Sequence, residues 1–157
     1  MSAFRLERRT GLSAAEAWRR VTDWRAHAEG VPLTRVRVLT PGPPGVGTRF
    51  TARTGLGPLG FDDPMAVVRW EPPGGAGPGG RPEAGLCRLE KYGRVVRGWA
   101  EIAVYAEGPG ARVTWVEELR VRGLPRWCDP LLARAGRWVF GRELDRLLAR
   151  QGPVSGT

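Results

Sequence analysis

The sequence contains one lysine, one histidine and two cysteines among its 157 residues, and these scarcities exclude several kinds of site. Cys87 and Cys128 lie far apart and neither belongs to a CxxC pair, so free thiols are expected rather than a disulfide framework or a zinc ribbon. The lone His27 cannot build a histidine-rich metal site, and neither a metal nor another cofactor is expected. No GKS/T, HExxH or GxSxG motif occurs, which removes the P-loop, zincin and α/β-hydrolase readings. GxGxxG occurs twice, at Gly55/Gly57/Gly60 and at Gly75/Gly77/Gly80. Phe61-Asp62-Asp63-Pro64 follows the first and Arg81-Pro82 the second, so neither opens a helix that could hold a pyrophosphate. Apolar runs stop within a few residues at Arg, Glu or Pro, leaving no membrane span of about 20 residues. The leading MSAFRLERRT lacks the basic-then-apolar order of a signal peptide, so a cytoplasmic protein without membrane insertion is expected.

Against these absences stand 41% hydrophobic residues, 26% charged residues and seven tryptophans, a composition that suits one folded domain over residues 1–151 with a disordered tail over 152–157. The net charge is +9, but the basic residues are arginines except for Lys91, and with 23 Gly and 14 Pro that skew reads as GC-rich codon usage. Its distribution is more informative than its total. Residues 30–61 carry Arg35, Arg37, Arg49 and Arg53 and no carboxylate, which makes an electropositive face there a candidate for anionic partners.

Phe4–Thr10 begins with strand alternation, and Ser13-Ala14-Ala15-Glu16 is a capping box that predicts a helix from Ala14 to about Thr22. Asp23–Gly30 reads as a second, weaker helix. Six strands are predicted next, at Thr34–Thr40, Thr48–Thr54, Asp62–Glu71, Leu86–Tyr92, Val95–Ala106 and Arg112–Val121. Short turns between them imply an antiparallel meander, and Gly74–Gly85 reads as a long mobile hairpin loop. Pro64 and Gly98 are suitable places for the bulges that curve such a sheet. Pro125–Arg150 is helical by propensity but carries two apolar stripes on nearly opposite sides. Leu131, Leu132, Ala135, Trp138 and Val139 form one; Phe140, Leu144, Leu147 and Leu148 form the other. Either the helix breaks near Gly136–Gly141, or one continuous helix uses both faces, the first meeting a partner or closing a pocket.

The run Leu12-Ser13-Ala14-Ala15-Glu16-Ala17-Trp18 into Val21-Thr22-Asp23-Trp24, with Val46-Gly47-Thr48-Arg49-Phe50, Val67-Val68-Arg69-Trp70-Glu71-Pro72-Pro73, Gly98 and Gly110-Ala111-Arg112-Val113-Thr114-Trp115, resembles the START-like (SRPBCC) superfamily. The likeness is to its polyketide cyclase/dehydrase-like members of actinobacterial type. It implies an α+β helix-grip, birch-pollen-allergen-like fold, with a curved antiparallel sheet of about seven strands around a long C-terminal helix. It also implies a cavity for a hydrophobic or aromatic small molecule, held either for biosynthetic chemistry or by a non-catalytic carrier or sensor. Trp18, Phe50, Met65, Val67, Trp115, Leu131 and Trp138 are expected to enclose that ligand.

Glu117 and Tyr92 are the candidate proton-moving groups. Glu117 shares a strand face with Val113, Trp115, Leu119 and Val121, where burial would raise its pKa toward a useful value. It could instead sit at the open end of the cup paired with an arginine, or be turned outward by a bulge. Tyr92 shares a face with Arg88 and Glu90, either as a polar patch in the cavity or as solvated surface. His27 is a possible proton carrier, though a surface position is the commoner outcome for a lone histidine. Asp62 and Asp63 are expected to cap a turn or answer the arginine-rich segment before them. Two other classes remain open: a nucleic-acid or anionic-surface binder using Arg35, Arg37, Arg49 and Arg53, with nucleic acid the less favoured partner, and a homodimer through the first stripe of the C-terminal helix.

Overall fold

The computed structural model describes residues 2–74 and 84–150. The Gly75/Gly77/Gly80 motif, the centre of the expected mobile loop and the expected tail all lie outside these residues. The elements are β1 (Ser2–Thr10), α1 (Ala14–Val21), β2 (Thr34–Val38), β3 (Arg49–Thr54), β4 (Phe61–Glu71), β5 (Ala84–Tyr92), β6 (Val96–Glu107), β7 (Gly110–Val121) and α2 (Asp129–Ala149). The strands form one antiparallel sheet in the order β1-β7-β6-β5-β4-β3-β2. The meander is therefore unbroken from β2 to β7, and β1 returns to close its far edge.

Ser13 caps α1 as its sequence requires, its hydroxyl accepting from the Glu16 amide at 3.2 Å. Ala17, Trp18 and Val21 are the buried face of this helix. The second helix expected over Asp23–Gly30 does not form: the chain makes successive turns there, and Ala28 and Leu33 adopt φ of +70° and +58°, which no α-helix accommodates.

Gly98 in β6 has φ +145°, and a Cβ at this position would lie 1.9 Å from the Glu118 carbonyl oxygen of β7, so only glycine fits. The bulge expected at Gly98 is absent, because the pairing register of β6 runs through it without a break on both sides. The bulge expected at Pro64 is elsewhere, between Val67 and Arg69 of β4. Pro64 needs none, because β4 pairs there with β3 alone and its ladder to β5 starts one residue later, at Met65.

α2 is continuous, so the expected break at Gly136–Gly141 is absent. Leu144 and Leu147 of its second stripe are fully buried with Leu6, Val21, Ile102 and Val113. Gly136 and Gly141 serve approach rather than bending: a Cβ on Gly136 would strike the Phe4 ring at 2.6 Å. The first stripe is divided: Leu131 and Trp138 are outward, 61% and 64% exposed, whereas Val139 turns in and lines a cavity beneath α2. No helix among the described residues is long and apolar enough to cross a membrane.

Replacing Gly98 by alanine is expected to destabilise the protein by about 2 kcal/mol or more, measured by urea denaturation. Gly11→Ala, at a site with nothing within 4 Å, is the control and should change little. Equal midpoints for the two variants would show that glycine is not required at position 98.

Candidate functional site

The concave face of the sheet, the 23–33 turn segment and the middle of α2 enclose a cavity of about 230 Å³. Its walls are mainly aromatic and aliphatic: Trp24, Phe50, Phe61, Met65, Leu89, Trp115 and Phe140 all line it. The rings form a chain. Phe50 stacks on Trp24 at 4.8 Å between centroids, His27 lies 5.2 Å from Trp24 and 5.6 Å from Trp115, and Trp115 lies 5.4 Å from Phe140. Offset contacts of this kind add about 0.5–1.5 kcal/mol each beyond burial and give the wall a fixed shape.

Three ionisable side chains from three strands meet in this wall. Lys91 of β5 places Nζ 2.7 Å from Asp63 Oδ2 of β4 and 3.2 Å from Glu117 Oε1 of β7, with Met65 Sδ at 3.5 Å. Strand β6 lies between Lys91 and Glu117, and its residues in register with them are Gly98 and Ala100, small enough to let the lysine reach across. Glu117 Oε2 accepts from Trp115 Nε1 at 3.0 Å, which ties the carboxylate to its neighbour two residues back on the same strand face. Glu117 is 1% and Lys91 8% exposed. Burial pushes the ammonium pKa down, but the charges of Glu117 and Asp63 outweigh this and hold it above the ordinary lysine value. Asp63 Oδ1 remains buried without a hydrogen-bond partner, as does Trp24 Nε1.

A second polar group closes the cavity from the helix side. Glu143 of α2, 3% exposed, accepts the Ala28 amide at 3.0 Å and a bond from Arg146 Nε at 3.1 Å. Arg146 also donates to the Ala26 carbonyl and to Glu29. The pair thus fastens the turn segment to α2 and holds Ala28 in its left-handed conformation.

Of the residues expected to enclose a ligand, Phe50, Met65 and Trp115 line this cavity together with Glu117. Trp18 and Val67 are buried elsewhere in the core, Trp18 edge-on to Trp70 at 5.0 Å. Leu131 and Trp138 stand on the outer face of α2, with the Arg142 guanidinium 5.0 Å above the Trp138 ring. Tyr92 is 47% exposed and points away, because strand alternation turns Cys87, Leu89 and Lys91 inward and Arg88, Glu90 and Tyr92 outward. Asp62 answers Arg53 at 3.1 Å as expected, whereas its neighbour Asp63 turns inward to Lys91. Arg35 and Arg53 face each other across β2 and β3, and Arg37 and Arg49 share their exposed side. The residues sequence reasoning missed, Lys91, Asp63 and Glu143, had a signal in part: Lys91 alternates in phase with Cys87 and Leu89. Glu143 had none, since it lies between the two apolar stripes. Cys87 is a buried thiol pushed up to about 12 by burial, which makes it inert, and both cysteines are free. Among the described residues no group of His, Cys, Asp and Glu is placed to hold a metal ion.

His27, expected at the surface, is enclosed by the two tryptophans. Its Nε2–H donates to the Val21 carbonyl at 2.7 Å, and burial lowers its pKa below the ordinary 6.5. The unfolded chain takes up a proton near 6.5 while the folded ring resists it, so stability is full above that pH and is lost as pH falls toward the folded value. His27 is the only histidine. The decline in urea midpoint between pH 7.5 and 5.5 should therefore flatten in His27→Gln; an unchanged slope would place its cause in the carboxylates instead.

No family model matches the sequence, and no curated protein matches it. Solved structures match over nearly the whole chain at low identity. A START superfamily protein from Mycobacterium smegmatis is 12% identical, with a TM-score of 0.68 and coverage of 94% of this chain and 97% of that one. The ZhuI aromatase/cyclase from Streptomyces sp. R1128 is 14% identical, with a TM-score of 0.63 over 99% of this chain and 98% of its own. Ara h 8.0201 is 10% identical, with a TM-score of 0.60 over 94% and 98%. By its seven-stranded curved sheet and long C-terminal helix, this chain has the helix-grip fold of the START-like, birch-pollen-allergen-like superfamily.

Proposed function

We propose that the protein binds one small aromatic or hydrophobic molecule in the cavity beneath α2. The observation that carries this reading is the cavity itself, an unfilled space of about 230 Å³ with aromatic walls inside an otherwise close-packed domain. Apolar cavities of roughly 150 Å³ accept benzene, so this one has room for a mono- or bicyclic ring system and not for a long extended chain. The similarity to an aromatase/cyclase supports the same reading at the level of fold.

Should the bound molecule also react, Glu117 is the better placed of the two proton-moving candidates. It lines the cavity, whereas Tyr92 lies on the outer sheet face. Lys91 would hold the Glu117 carboxylate in place, and Trp115 would fix its rotamer through the bond to Oε2. The aromatic walls would exclude water from a substrate held against it. A turnover measurement on Glu117→Gln separates catalyst from carrier, since a carrier has no rate to lose.

Binding is tested with indole as a neutral ring probe, by calorimetry. Ala52 lies on the inner face of β3 in the cavity wall and is only partly buried, so a phenylalanine there fills the space at small cost to the core. Ala52→Phe is expected to weaken indole binding by about tenfold while keeping the circular-dichroism spectrum. Equal binding by both proteins would remove the cavity reading.

A further inference from the structure

We infer that the cavity selects ligands carrying a protonated amine, or another strong hydrogen-bond donor, on the aromatic body, and rejects carboxylates and phosphates. This rests on the binding reading above and specifies the ligand's chemistry.

The inference comes from an inventory of charges and hydrogen-bond groups in the cavity wall. Asp63, Lys91 and Glu117 together contain two carboxylates and one ammonium. Glu143 is balanced by Arg146, and His27 is held neutral by its surroundings. The wall therefore carries one carboxylate more than its cations answer, in a setting where an uncompensated charge is costly. A ligand that brings a cation to this wall is therefore favoured over one that brings a further anion.

The donors lead to the same conclusion. Lys91 is the one cationic side chain among the cavity-lining residues, and an ammonium has three protons. It donates to Asp63 Oδ2 and Met65 Sδ and faces Glu117 Oε1 as an ion pair at 3.2 Å, so its charge is already claimed by two carboxylates before any anionic ligand arrives. The Nε2–H of His27 is committed to Val21. Acceptors, in contrast, remain: Asp63 Oδ1 and Glu117 Oε1 are both buried without a hydrogen-bond partner, and His27 Nδ1 carries a lone pair in this tautomer. The indole N–H of Trp24 is the one lining donor buried without a partner, and it accommodates at most one acceptor atom on the ligand. Aromatic rings on Trp24, Phe50, Trp115 and Phe140 add faces that attract a cation and repel an anion.

Three probes of one shape but different heads decide the matter: phenethylamine, phenethyl alcohol and phenylacetate, titrated into the full-length protein at pH 7.5. The amine is expected to bind about tenfold tighter than the alcohol, as a charge-assisted bond to a buried carboxylate provides, with the carboxylate weakest. In Glu117→Gln the amine should lose this advantage, its affinity falling toward that of the alcohol. Asp63→Asn removes the excess charge from the other side and should do the same, so a folding defect in one variant leaves the question answerable. Phenylacetate binding as tightly as the amine, or an amine preference that survives both substitutions, overturns the inference while leaving the cavity reading intact. Failure of all three probes and of indole overturns both.

Discussion

The interaction on which the inner face depends is the Lys91 ammonium held between Asp63 and Glu117. It is the chain's one lysine, and it sits inside the sheet with 5% of its side chain exposed. Buried ion pairs contribute little net stability compared with apolar residues of the same shape, but removing the one lysine would leave both carboxylates uncompensated, at about 3–5 kcal/mol. The three residues therefore constrain one another. They also constrain the strands between them, because Lys91 reaches Glu117 only across Gly98 and Ala100 of β6. Gly98 is thus both the point where β6 approaches the β7 backbone too closely for a side chain and a gap through which the ion network closes.

The other boundary of the cavity is organised by a different device. The 23–33 segment has no regular secondary structure of its own and includes two non-glycine residues at positive φ, Ala28 and Leu33. Its position is fixed by Glu143 and Arg146, one turn apart on α2, which take up the Ala28 amide and the Ala26 carbonyl. Trp24 and His27 reach the cavity from this segment and continue the ring chain from Phe50 to Trp115. The helix thus grips the sheet through Leu144 and Leu147 and the turn segment through Glu143 and Arg146, using adjacent faces of one stretch.

Much of this architecture was legible in the sequence, for reasons that differ by element. The strands were readable because period-two alternation and Gly/Pro turns mark a meander directly, and Ser13 with Glu16 marked the first helix by capping chemistry. Asp23–Gly30 was misread because its composition suits a helix, while its conformation is set by contacts to α2 more than a hundred positions away. Glu117 could be singled out because a carboxylate in phase with Val113 and Trp115 is anomalous on one strand. Its partners could not be found from it, since Asp63 and Lys91 meet it only through registers that one strand does not encode. Leu131 and Trp138 were expected in the cavity for want of the same information: two apolar stripes identify two faces, and only packing against β1 and α1 selects the inner one.

The outer stripe remains a feature of the surface. Leu131 and Trp138 stand among Arg134, Arg137 and Arg142, and Trp127 just before the helix is 73% exposed. A two-fold dimer through this face would bury the tryptophans, but it would also bring each arginine cluster against its copy, since an isologous interface pairs a patch with itself. With a net charge of +9 the repulsion is not relieved elsewhere on the chain. Arg142 already covers one side of the Trp138 ring, which lowers the apolar area the face leaves in water. Apolar burial and charge repulsion thus oppose each other on this helix face, whereas the inner face has no such conflict. There the apolar walls and the ion network favour the same occupant, an aromatic body with a donor at one end.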